Sequence, residues 1–187
     1  MKRIPVVVVA LLMLGAVVGL VVRGAGAAPP EEKPVQENAS QATPATSVEE
    51  ARHRARLLHE AVHATLQIVH HEYYREDEGL LLPASTLKKV FREMANRQKV
   101  ELRWIAVNAQ AMNADHTAET DFEKGAVKAL TAGADEFEQM EQGVYRRAGP
   151  ITLGSDCLKC HVPSRTSTHD RTAGLIIAMP VELSAAE

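Results

Sequence analysis

Both cysteines of this 187-residue chain fall in one five-residue stretch, Cys157-Leu158-Lys159-Cys160-His161. The spacing C-x-x-C-H is the attachment signature of c-type haem. Each thiol can add to one vinyl group of the porphyrin, and the adjacent histidine is then held beneath the iron as an axial ligand. One motif predicts one covalent haem c per chain, held by Cys157, Cys160 and His161. Other readings of a C-x-x-C pair fit less well. A thioredoxin-like site needs a βαβ setting, which the pattern does not provide. A structural zinc site needs four ligands, and no second pair exists. A disulfide across two residues would be strained and would leave His161 without a role.

The rest of the composition agrees with a buried macrocycle. Hydrophobic residues make up 45% of the chain but aromatic residues only 4%, so large rings fill little of the core and a porphyrin would help. The formal charge of −3 is mild, and no basic run tracks a phosphate backbone. Nucleic acid is not an expected partner.

Residues 1–28 read as a targeting segment. Lys2 and Arg3 precede an uncharged apolar run from Ile4 to Val22, and Ala25-Gly26-Ala27 supplies small residues for cleavage. A cleaved signal peptide is the first reading. The run is also near the length that spans a bilayer, so an uncleaved inner-membrane anchor through residues 4–22 is the alternative. Either places the body outside the cytoplasmic membrane, in the periplasm or its equivalent. Residues 29–46 are rich in Pro, Glu, Ala and Gln and read as a flexible tether. Residues 47–187 are the expected haem domain.

Ser47 and Glu50 have capping-box spacing and open a long helix to about Asp77, with Gly79 as its stop. Its apolar stripe runs Ala55, Leu58, Val62, Leu66, Val69, Tyr73. A second helix spans Pro83 to Gln98, with Leu87, Val90, Phe91 and Met94 inward. Val100 to Val107 reads as a strand carrying Trp104. Thr120 and Glu123 cap a third helix to about Ala132, ended by Gly133. Glu136 to Met140 and Val144 to Leu153 form a hairpin across Gln142-Gly143, and Gly174 to Leu183 is a last strand. Helices first and a hairpin-rich end make an α+β domain with an antiparallel sheet.

The iron's second axial position needs a partner. His59, His63 and His70 share one edge of the first helix, within about 40° of each other. His70 is the first choice, then His63, then His59. His53 and His71 point away from that edge. Met94, Met112 and Met140 are the methionine alternatives, and His116 in its loop is a weaker one. Arg165 and Arg171 flank a polar loop after the motif and suit the haem propionates. Trp104 and Tyr145 could pack on the macrocycle, although ordinary core packing accounts for them better.

The order of elements resembles a family of single-haem c-type cytochromes with a PAS-like fold, from about Ala51 to Leu183. The resemblance is carried by Arg103-Trp104-Ile105-Ala106-Val107-Asn108, then Asn113, Asp121-Phe122-Glu123, Pro150-Ile151, the Cys157 to His161 motif and Gly174 to Pro180. Members stand alone or form the extracytoplasmic sensor of kinases and chemoreceptors. The resemblance implies a PAS-like sheet with haem held against it. Some members use a cysteine as second ligand; this chain has no third cysteine, so an imidazole or an open site must take that place. Three functions follow from these readings. The first is single-electron transfer or redox reporting, with a redox partner protein. The second is a haem-based gas or redox sensor acting through a separate signalling protein. The third is a peroxidase-like enzyme. The first is preferred, which makes the chain not an enzyme.

Overall fold

The computed structural model describes residues 42–75, 78–162, 166–167 and 169–182. The targeting segment, residues 29–41 of the tether, Arg165 and Leu183 lie outside the described residues. Among the described residues no helix is long and apolar enough to cross a membrane.

Helix α1, Val48–Tyr73, opens on Ser47, whose hydroxyl accepts from the Glu50 backbone N–H at 3.1 Å. Only half of the expected box forms, because the Glu50 carboxylate turns outward to the backbone N–H and hydroxyl of Thr46. Helix α2, Pro83–Gln98, has Pro at its first position, where the missing N–H costs nothing. Lys99, at φ 55°, caps its end. Strand β1 is Glu101–Ala106. Helix α3, Asp121–Thr131, carries a complete capping box between Thr120 and Glu123. Strands β2, Phe137–Glu141, and β3, Val144–Leu153, meet at Gln142 and Gly143, both with positive φ. That is the backbone that matches the twist of a two-residue hairpin. Helix α4, Ser155–His161, follows, and strand β4, Arg171–Pro180, closes the fold.

The four strands form one antiparallel sheet in the order β1-β4-β3-β2. Strand β4 is central and buried on both faces, from Gly174 through Ile177. Leu175, Ile177 and Met179 join Ala51, Ala55, Val62, Phe91, Trp104 and Ile151 in a core shared with α1 and α2. Ile176 points the other way and joins Ile105, Ala148, Phe122, Ala126 and Leu130 beneath α3. The period-two alternation of side chains therefore feeds two cores from one sheet.

Three expectations need correction. The stripe of α1 is buried only over its first half, since Val69 is 36% and Tyr73 71% exposed. Those turns stand outside the apolar cluster that buries Ala51, Ala55 and Val62. Val90 is 47% exposed, because it sits at the edge of the stripe that Leu87 and Phe91 define. Gly79 does adopt φ 64°, but six residues past the end of α1, so it does not stop that helix. Just before Ser47, Ala45 is buried, bridges to Val181 and accepts from the Glu182 N–H at 2.9 Å.

Candidate functional site

Helix α4 places the motif. Cys160 and His161 stand three and four residues beyond Cys157, so all three share one face of a helical turn. Leu158, on the flank of that face, is 1% exposed and anchors the turn to the domain. Both thiols are free and partly buried. Burial pushes the Cys157 thiol up, so it is held as the thiol rather than the thiolate.

This face borders a cavity of about 540 Å³, inside the roughly 300–1,000 Å³ range of cofactor pockets. Leu66, Leu82, Pro83, Ala84, Met112, Ile151 and Leu153 give it apolar walls. It lies where the C-terminal turns of α1, the start of α2, the end of β3 and α4 converge. A smaller cavity of about 60 Å³ adjoins it, sharing Leu66, Met112, His116, Ile151, Leu153 and His161 in its walls.

The expected site residues separate clearly. Cys157, Cys160, His161 and His70 line the large cavity together. His161 is held below the ordinary histidine range, first by burial and then by the nearby His70. His71, expected to be solvated, is exposed yet also lines the cavity. His63 and His59 do not line it. His63 lies 3.4 Å from the Gln67 amide nitrogen. His59 is 3% exposed and closed against β3, beside Arg147 and Gly149. Trp104 borders the small cavity, tilts against Phe91 at 4.9 Å and donates from Nε1 to the Ala84 carbonyl at 3.2 Å. Tyr145 is buried away from both, donating to Glu138 at 2.6 Å. Arg171 pairs with Leu153 in the β3–β4 ladder and does not line the cavity.

Other residues at the cavity have no local sequence signal. Its cations are Arg75, Lys88 and Lys159. His116, the weaker candidate by sequence, lines both cavities. It ends a short 3-10 turn, Ala114–His116, capped by the Asn113 side chain, which accepts from the Asp115 N–H at 3.0 Å. Its Nε2 is buried without a hydrogen-bond partner. Burial and the charge of Lys88 hold its pKa below the ordinary value, against the opposing pull of Asp115. The one signal for this turn was Asn113, a residue that often hydrogen-bonds the backbone two positions on.

These residues fit a haem. The cavity combines apolar walls, two thiols and an imidazole on one turn, further imidazoles, cations for carboxylates and an orphaned buried ring nitrogen. Among the described residues no three His, Cys, Asp or Glu side chains gather to hold a metal by themselves. A porphyrin brings four nitrogens of its own and asks the protein for one or two.

A family model for Tll0287-like proteins matches residues 44–177. The chain belongs to the Tll0287-like family. Among solved structures it is similar to the cyanobacterial haem protein Tll0287, at 16% identity and a TM-score of 0.55, over 75% of this chain and 99% of that one. No curated protein sequence matches it. The Tll0287-like match runs from the residues just before α1 into β4, and so takes in the whole cavity and the motif. The expected α+β fold, a PAS-like antiparallel sheet with long N-terminal helices, is the fold observed.

Proposed function

We propose that this Tll0287-like protein is an exported monohaem c-type cytochrome that passes single electrons or reports redox state. The observation that carries the reading is the α4 face, where Cys157, Cys160 and His161 together border an apolar cavity that His70 also lines. Each thiol would add across one vinyl group of the same haem: sulfur bonds one carbon, the thiol hydrogen goes to the other, and no oxidant is consumed. Bound haem supplies a one-electron iron couple. His161 and His70 would be the imidazoles that hold the iron, while His63 and His59 do not line the cavity. Leu66, Leu153 and Met112 would keep water from the iron, and Arg75, Lys88 and Lys159 would offset the propionates. Two strong ligands favour outer-sphere transfer to a redox partner protein rather than enzymatic turnover. The targeting segment supports a place outside the cytoplasmic membrane, cleaved or anchored.

The test is spectroscopic. The full chain is expressed with c-haem maturation, and ferric and ferrous spectra are recorded with and without CO. Low-spin iron in both states that ignores CO is expected. A high-spin ferrous form with rapid CO uptake would overturn electron transfer in favour of the sensor reading.

A further inference from the structure

One nitrogen at the cavity has nothing to do in the scheme above. His116 Nε2 is buried and has no hydrogen-bond partner among the described residues. A buried polar atom left unpaired is costly, and such atoms in folded proteins usually answer to a partner or a function. This one belongs to a ring that lines the same cavity as His161 and His70.

The turn that carries it is built rather than loose. The Arg103 guanidinium donates to the carbonyls of Asp115 at 2.7 Å and Thr117 at 2.8 Å, on either side of His116. The His116 N–H donates to the Asn113 carbonyl at 2.9 Å. Lys88, from α2, pairs with Asp115 at 3.6 Å. These contacts fix the backbone on both sides of His116, and its Nε2 stays without a hydrogen-bond partner among the described residues.

His70 is held differently. It comes from α1, and its ring tilts against Tyr74 at 5.0 Å. The two imidazoles thus reach one cavity from separate elements, so either can leave without disturbing the other's backbone.

We propose that His116 would be a second imidazole able to hold the haem iron, taking over when His70 gives it up. This rests on the haem reading above. One neutral nitrogen donor would replace another, with no change of charge or electron count.

The test uses the full haem-loaded protein and its H70A, H116A and H70A/H116A variants, read by ferric absorption and electron paramagnetic resonance. H70A is expected to remain low-spin with a bis-imidazole signature and to ignore added imidazole. The double variant is expected to turn high-spin and to return to low spin when imidazole is added. His70→Gln keeps the side-chain bulk and replaces H70A if that variant fails to mature. A high-spin, imidazole-responsive H70A that matches the double variant would overturn the proposal. Failure of the underlying haem reading is seen separately, as wild-type chain without covalent haem.

Discussion

Arg103 and Glu123 form an ion pair in which the guanidinium also holds the turn bearing His116. The carboxylate is equally committed, accepting the backbone N–H groups of Glu119 at 2.7 Å and Thr120 at 3.0 Å. Burial alone would raise the pKa of Glu123; those N–H groups and the Arg103 charge outweigh it and hold the carboxyl below its ordinary range. One pair therefore joins β1, the start of α3 and the wall of the cavity.

Removing that guanidinium by Arg103→Ala should cost about 1–3 kcal/mol, because two carbonyls and a largely buried carboxylate lose their partner. Urea denaturation of wild type and variant reads this as a lower midpoint at an unchanged slope. An unshifted midpoint would mean that the pair does not hold the turn.

Gly149 lies where β3 passes under α1. A Cβ there would meet Arg147 Nη1 at 2.6 Å and His59 Nε2 at 2.7 Å. Both groups are buried, and Arg147 is held to Glu136 through Nε at 2.7 Å, so Gly149→Ala should destabilise by about 1–3 kcal/mol. Gly174→Ala should act the same way against Ile105 Cγ2, at 2.7 Å. By contrast, a Cβ at Gly154 meets nothing within 4 Å, and Gly154→Ala serves as the tolerated control in the same denaturation series.

His59 makes stability depend on pH. Burial first, then the charge of Arg147, hold its pKa below the ordinary 6.5. Between the two values the unfolded chain binds a proton that the folded chain refuses, so stability falls as pH drops below about 6.5. Glu136 acts further down. Its hydrogen bond from Arg56, helped by Arg147, outweighs burial and brings it from 4.5 to about 2. Its contribution is complete above pH 4.5 and is lost as pH falls toward 2. Thermal melts across pH 3–8 should show both limbs, and His59→Gln should make the upper one shallower, since His116 and His161 share it, without moving the lower. An unchanged upper limb would assign it to other groups.

Much of the fold was legible because it is locally encoded. Thr120 with Glu123, Pro83 and Gln142-Gly143 each fix a backbone geometry within four residues, and those elements lie within a residue or two of where the pattern puts them. Strand β4 was seen from Gly174, but it starts at Arg171. Residues Arg171 to Ala173 have little strand character of their own and are held by pairing with Leu153, Thr152 and Ile151.

The candidate site was legible where spacing is local: Cys157, Cys160 and His161 fall on one turn beside the cavity. Angle along α1 carries no information about height, and it set aside His71, which lines the cavity. His59 and His70 share an edge and stand eleven residues apart, roughly 16 Å along the axis. One end meets β3 and the other meets the cavity. Arg75, Lys88, Lys159 and His116 are brought together from four segments by tertiary folding, which no spacing rule reports.

Every role proposed for this cavity requires one haem on the thiols of Cys157 and Cys160. The most direct measurement is the mass of the exported protein under denaturing conditions, after expression with c-haem maturation. The predicted result is the polypeptide plus one haem, lost in the Cys157→Ala, Cys160→Ala double variant. The bare polypeptide mass, with any pigment released on unfolding, would contradict it.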